Sequence, residues 1–556
     1  MLWNDVLLYA SKSNYKHTNT HDYRYMLCDF SLSQLVRATG FNVLSRQSND
    51  VNSFIARQSP IALQGILNNI GANGSLVEGA SSGIVVASPS TQDPNYFYTW
   101  TRDSALTIKF LIDSYIQGNQ GLGSLIQEYI LAQGRLQTVD NLSGTFASGQ
   151  GLGEPKYYTN ETAFEGEWGR PQRDGPALRA IALIAYSKAI VAASSDNNAT
   201  VHDVIWPIVS NDLSYVAQYW NQTGFDLWEE VNGSSFFTTA VQYRALVEGA
   251  NFAQSVGETC DGCDSQAPNT LCFLQNYWNG TSIVSNINLQ GDYQRSGLDC
   301  NSILTSIHMY DPEGGCTDST FQPCSSRALA NHKAVVDSFR NVYTINSNLG
   351  PGEAAAVGRY TEDRYYEGNP WYLCTLAAAE QLYSAIHQWN ATGSITVDNL
   401  NAGFFSDLGT NTTNGNYASN SPEFATLTTA VRDYADGFVA VVQEYTPENG
   451  SLAEQFSREN GTAVSARDLT WSYASFLTME FARNSTLPQS WGEAAANTVP
   501  NSCQASSSNG TYIEPTATSF PNVAGIVTPN GSASGSGMAG STSSAAANRA
   551  TPFLRW

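Results

Sequence analysis

Charge is scarce in this chain and basic charge scarcer still: 14% of its 556 residues are charged, with 27 Lys and Arg against 49 Asp and Glu, a formal net charge of −22. So acidic a surface argues against a nucleic-acid partner held through its phosphates and favours a neutral or cationic ligand. A pI near 4.6 suits an acidic working environment. No run of 18 or more apolar residues occurs, so no membrane-spanning helix is predicted. The N-terminal stretch MLWNDVLLYASKSNYKHTNTH lacks the apolar core and small-residue cleavage site of a secretory leader. Of six histidines, one close pair exists, His17 and His21, and no zinc site is indicated. There is no GxSxG elbow and no P-loop, and Gly149, Gly151 and Gly153 are not followed by an amphipathic helix, which removes a dinucleotide loop.

What is present is apolar: 42% hydrophobic and 11% aromatic residues ensure a sizeable core. The length exceeds the roughly 250 to 300 residues at which one core usually stops growing, so one large domain with appendages is as plausible as two domains. Among nine cysteines, Cys260, Cys263, Cys272, Cys316, Cys324 and Cys503 lie in Gly, Pro and Ser-rich loops, a pattern of disulfides rather than zinc knuckles. More than a dozen N-x-S/T sequons occur, including Asn73, Asn160, Asn279 and Asn460, with Asn221 and Asn449 expected to carry glycans. A secreted, extracellular glycoprotein follows, although the leader it would need is not evident.

Residues 1 to 50 are polar and without clear periodicity and read as a leader or uncertain segment; helix-period segments begin near SPIALQGILNNIG. Between 51 and 503 roughly a dozen such segments recur, among them GPALRAIALIAYSKA and FATLTTAVRDYADGFVAVV, while convincing strands are few. Several are apolar around most of their circumference, as inner helices of a layered all-α assembly would be. From 504 to 556 a Ser/Gly/Thr-rich run reads as a linker-like tail unable to build a core.

Four loop clusters carry chemistry. DLWEEVNGSSFF sets Glu229 beside Glu230 after Asp226, Leu227 and Trp228. Acetal hydrolysis needs one carboxylic acid to protonate the leaving oxygen and one carboxylate to activate water. Adjacent carboxylates raise each other's pKa, and Trp228 adds desolvation in the same direction. Taken alone, such a doublet is more often a solvated helix start. YFYTWTRDSALT offers Tyr96 and Trp100 as platforms beside the polar pair Arg102 and Asp103. EWGRPQRDGPALR repeats the theme with Trp168 and Arg170, and GRYTEDRYYEGNPW with Arg359, Asp363, Tyr365 and Trp371. Each cluster alone is better read as a helix entry with core aromatics; four together suit a sugar site.

These segments, with LAEQFSRENGTAVSARDLTWSYA, resemble in order the blocks of the fungal glucoamylases, glycoside hydrolase family 15, over about residues 55 to 503. The resemblance implies an (α/α)6 barrel with long functional loops at one end and a pocket that releases glucose from non-reducing ends of starch and maltooligosaccharides with inversion. It implies no cofactor or metal, and the chain is expected to act as a monomer. Glu229 matches the general acid and Glu454 the general base; inversion calls for a gap of about 6.5 to 9.5 Å, so the adjacent Glu230 is a sugar binder. Arg102, Asp103 and Arg359 match the grip on the terminal glucose, Trp168 an aromatic flap, Leu227 and Trp228 wall contacts, and Tyr96 and Trp471 pocket wall. Asp226 and Arg170 are supporting matches. The family's disulfides would fall at Cys260 with Cys263, Cys272 with Cys503, and Cys316 with Cys324. Cys374 would be free, and no partner is assigned to Cys28 or Cys300. Phe456 stands where tyrosine is common, and no starch-binding module follows the tail, so weak binding to granular starch is expected. A related barrel glycosidase acting on trehalose or an α-1,6 glucan, and an inactive carbohydrate-binding relative, are the competing readings.

Overall fold

A computed structural model describes residues 40–523. The chain falls into two compact units, Met1–Gln47 and Ser48–Trp556; all that follows concerns the second, apart from the first residues of one helix. Cys28 lies outside the described residues.

Among the described residues, twelve α-helices of eight or more residues alternate along the chain. They are α1 (Gly40–Asn68), α2 (Thr101–Ile116), α3 (Gly123–Gln137), α4 (Asp174–Ala193), α5 (Trp206–Tyr219) and α6 (Phe236–Val256). There follow α7 (Cys263–Leu274), α8 (Asn301–His308), α9 (Ser326–Ser338), α10 (Tyr372–Thr392), α11 (Pro422–Tyr445) and α12 (Thr470–Arg483). The even-numbered helices pack in a closed ring, α2 on α4, α4 on α6, and so on until α12 returns to α2. The odd-numbered helices lie outside it. The architecture is an (α/α)6 barrel.

Patterning explains which helix goes where. α4 is buried along nearly its whole length, and so are α6 and α10, so none has a face for water. By contrast α11 buries Phe424, Leu427, Val431, Tyr434, Phe438 and Val442, the spacing of one apolar stripe laid against an inner layer. α4 is long and apolar enough to cross a membrane by composition, but its apolar surface is taken up inside the barrel. Ser421 caps α11 through Phe424 N, and Ser325 caps α9 through Ala328 N. Gly257 and Gly393 end α6 and α10 with φ of 76° and 75°, where a side chain would be strained.

Two sequence expectations change. α1 begins at Gly40, within the stretch read as a leader, and runs unbroken through Pro60; Val51, Phe54 and Ile55 are buried, and Phe54 meets Phe476 of α12 edge-on at 5.6 Å. Of the tail read as a linker from 504, the part through Val523 lies on the barrel. Ser508 N–H donates to Ala217 O, Ile513 N–H to Asn211 Oδ1, and Tyr512 Oη to Gln218 Oε1, while Phe520 reaches Tyr186. The Ser/Gly background hides these anchors, because each is a lone residue with no periodic partner.

Disulfides join Cys260 to Cys263, Cys272 to Cys503, and Cys316 to Cys324; Cys300 and Cys374 are free thiols, both buried. The Cys272–Cys503 bond ties the start of the tail to α7. Asn221 and Asn449 are exposed.

Candidate active site

The six inner helices begin at one rim, and the residues singled out in the sequence gather there. Trp100, Arg102 and Asp103 open α2, Asp174 opens α4, Trp371 caps α10 and Trp471 lies in the first turn of α12. Together with Tyr96, Leu227, Trp228, Glu229, Arg359 and Glu454, all of these but Asp174 line one pit. The positive ends of six helix dipoles thus underlie a site rich in carboxylates. A larger void of about 110 Å³ lies about two turns further along the same helices, among Lys109, Arg244, His308 and Glu380. It contains neither glutamate of the pair.

The turn carrying Glu229 is built by Asp226. Its carboxylate, fully buried, accepts the backbone N–H of Glu230 at 3.1 Å and of Val231 at 3.2 Å, while its carbonyl accepts Glu229 N–H at 2.9 Å. That knot holds Glu229 at φ 68°, a conformation disfavoured for a non-glycine residue. Glu229 and Glu230 therefore face different partners. Arg102 Nη2 donates to Glu229 Oε1 at 3.1 Å, and Arg102 Nη1 is anchored on Gln172 at 2.8 Å and Asp174 at 3.1 Å. Glu230 instead accepts Arg359 Nη2 at 2.9 Å, the Tyr360 hydroxyl and Arg295 Nη2.

The mutual pKa rise expected of the doublet is not what Glu230 shows. Burial pushes its carboxyl up, but Arg359, the Tyr360 hydroxyl and Arg295 outweigh it and hold the group below its ordinary value. Glu230 is an ionised acceptor.

Glu454 lines the same pit, 1% exposed, just before a short strand pair, Gln455–Phe456 with Ala463–Val464. Its Oε2 accepts the Ser465 hydroxyl and Gln455 Nε2 at 2.8 Å. Tyr96 is a further hydrogen-bond partner of the carboxyl. Burial pushes Glu454 up to about 7, against the lowering pull of Ser465, Arg359, Gln455 and Tyr96. Phe456 packs between Tyr372 and Tyr445, at ring separations of 4.8 and 5.2 Å, so this position is filled by apolar contact.

Arg359 is gripped by Asp363 through two bonds of 2.8 and 2.7 Å and ringed by Trp228, Tyr360, Tyr365 and Trp371 at 5.2 to 5.5 Å. Tyr365 and Tyr96 share a hydroxyl bond of 2.8 Å. Asp103 Oδ2 and Arg102 Nε are buried without a hydrogen-bond partner, 3.5 Å apart, leaving hydrogen-bonding capacity for a polyhydroxy ligand. Burial pushes Asp103 up to about 6, with Arg102 opposing.

Not every candidate reaches the pit. Arg170 forks the buried Glu154 carboxylate at 2.9 to 3.1 Å and so holds the loop that bears Trp168. Asp363 acts behind Arg359. Asp174 belongs to the EWGRPQRDGPALR cluster read from the sequence; sequence reasoning missed Glu154, Asp299, Arg295 and Tyr360. Asp299 accepts the Trp228 indole N–H at 2.9 Å and is itself pushed up to about 7 by burial. Tyr360 stands inside the quoted cluster GRYTEDRYYEGNPW and was legible; Glu154, Arg295 and Asp299 carry no local signal.

A pit lined by two carboxylates with separate partners, and by arginines and tryptophans beside them, fits an acid–base glycoside hydrolase. The particular family follows from comparison. Residues 60–481 match the family model of the glycosyl hydrolases family 15, and the chain belongs to that family. It is 54% identical over 484 residues to Glucoamylase-1 of Arthroderma benhamiae, covering 87% of this chain and 78% of that one. It is 55% identical over 473 residues to the glucoamylase of Neurospora crassa, covering 85% and 74%. Among solved structures, the family 15 glucoamylase of Hypocrea jecorina superimposes with a TM-score of 0.84 at 54% identity, covering 86% of this chain and 80% of that one.

Proposed function

We propose that the chain is a glucoamylase, releasing β-D-glucose one unit at a time from the non-reducing ends of starch and maltooligosaccharides. The observation that carries this is that Glu229 and Glu454 line one pit while each is held by its own partners, Arg102 for Glu229 and Ser465 with Gln455 for Glu454. A chain end enters such a pit and a mid-chain segment does not. Arg102, Asp103 and Arg359 hold the terminal glucose by charge-assisted hydrogen bonds. Glu229 gives its proton to the bridging oxygen as the C1–O bond breaks. Glu454, through the oxygen not held by Ser465 and Gln455, takes a proton from the water that attacks C1 from the other face. Ionised Glu230 accepts hydroxyls on the leaving-group side. Three disulfides and the acidic surface support work in an oxidising, extracellular setting.

Product analysis tests the reading: soluble starch is expected to yield glucose alone from the first minutes, with maltose cleaved faster than isomaltose or trehalose. Early maltose or longer fragments would mean an open cleft, and trehalose as the best substrate would reassign the specificity.

A further inference from the structure

The void further along the inner helices takes part in no step of the proposed reaction. Every inner helix contributes to its wall: Phe110 of α2, Leu178 of α4, Arg244 of α6, His308 of α8, Glu380 of α10 and Phe481 of α12. The loop after α12 completes it with Thr486, Leu487 and Pro488, and Leu487 is 37% exposed, so the cavity meets the surface at that edge. Its volume, about 110 Å³, approaches the roughly 150 Å³ of an engineered apolar cavity that takes up benzene.

The charged side chains of the wall are largely matched. Lys109 Nζ donates to both carboxylate oxygens of Asp113, at 2.7 and 2.6 Å, and Arg244 Nε to Glu248 at 3.4 Å. Tyr310 and His387 share a hydrogen bond of 2.7 Å. Two groups are not matched in this way. His308 Nε2 is buried with no hydrogen-bond partner. Glu380 makes no ion pair among the described residues; its Oε2 accepts the Thr478 hydroxyl at 2.7 Å. Burial pushes the Glu380 carboxyl up to about 7, against the pull of Thr478. Burial, with Arg244 and Lys109, pushes His308 down to about 3. Between those limits both groups are uncharged, and a buried polar group left unpaired costs free energy that a ligand hydroxyl recovers.

The remaining wall is mostly hydrocarbon, with Leu106, Ile181 and Ile307 beside Phe110, Leu178 and Phe481. Such a lining excludes a second sugar site, because a glucose would bury several hydroxyls against apolar side chains. It also excludes an ion, since neither unmatched group supplies a counter-charge in the acidic range. We propose that this cavity is a second binding site, for a small neutral molecule of one hydrocarbon ring and one hydroxyl. A phenol meets that description: its ring packs among the leucine, isoleucine and phenylalanine side chains, and its hydroxyl pairs with the unmatched groups of His308 and Glu380.

Phenol itself is the probe. Titrated into the parent enzyme by calorimetry at pH 5, it is expected to bind one to one with a Kd of about 1 mM or below. Benzene, which lacks the hydroxyl, is expected to bind at least about tenfold more weakly. Phenol at several times its Kd should leave the KM for maltose unchanged, because the pit stays free. Ala482 lines the cavity, and Ala482→Phe, which fills it, is expected to abolish phenol binding with kcat and KM on maltose within about twofold of the parent. Phenol should raise the Tm of the parent and not of this variant. If the phenylalanine variant does not fold, Leu487→Trp at the exposed edge takes its place. Absence of saturable binding, benzene bound as tightly as phenol, a rise in KM for maltose, or an unchanged isotherm in the filled variant would each overturn the site.

Discussion

Glutamine at position 229 is expected to lower kcat on maltose and longer oligosaccharides by about 10²- to 10⁴-fold, with maltose affinity within about threefold of the parent. The substitution removes a proton and little else. An amide oxygen still accepts from Arg102 Nη2, and Asp226 still ties down the turn through backbone groups, so φ 68° at position 229 persists. The grip on the terminal glucose comes from Arg102, Asp103 and Arg359, none of which depends on the lost proton. Measured kcat and KM, with binding followed by calorimetry on the inactive variant, check both halves. Activity within tenfold of the parent would remove Glu229 from the donor role.

The second large effect belongs to Glu454. Glu454→Gln is expected to cost a similar factor in kcat, because an amide cannot take the proton of the attacking water. The parent enzyme should carry the mark of this group in its pH profile. A buried carboxyl raised to about 7 binds its proton below that pH and releases it above. An acid–base pair of this kind works while it holds one proton between its two carboxyls, and loss of that last proton ends turnover whichever oxygen bore it at rest. The sign follows: kcat/KM is expected to fall about tenfold per pH unit on rising above about 7, and not to rise. An alkaline limb displaced to pH 9 would show that burial does not set the proton affinity of Glu454.

How far these groups could be read in advance depends on whether their signal is local. The inner helices announced themselves, because a helix such as Asp174–Ala193 that is apolar all round has no place but an interior. Glu454 stands alone in LAEQF, and nothing in its neighbours marks it; the link to Glu229, far off in the chain, came from family resemblance and not from spacing. The doublet misled in one respect. Adjacent carboxylates suggest mutual repulsion, yet the turn built by Asp226 sends Glu230 toward Arg359 and Arg295, and those charges reverse its shift. The tail shows the same limit: Tyr512, Ile513 and Phe520 are single anchors in a composition that signals linker.

The most direct measurement of the central claim is the anomeric form of the first glucose released. Hydrolysis of a maltooligosaccharide followed by proton NMR, at intervals shorter than mutarotation, reads it without any variant. Water delivered by Glu454 to the face opposite the bond protonated by Glu229 predicts β-glucose first, with the α form appearing later as the anomers equilibrate. Initial release of α-glucose would contradict the account, because it would place a covalent intermediate where this site is proposed to hold a water.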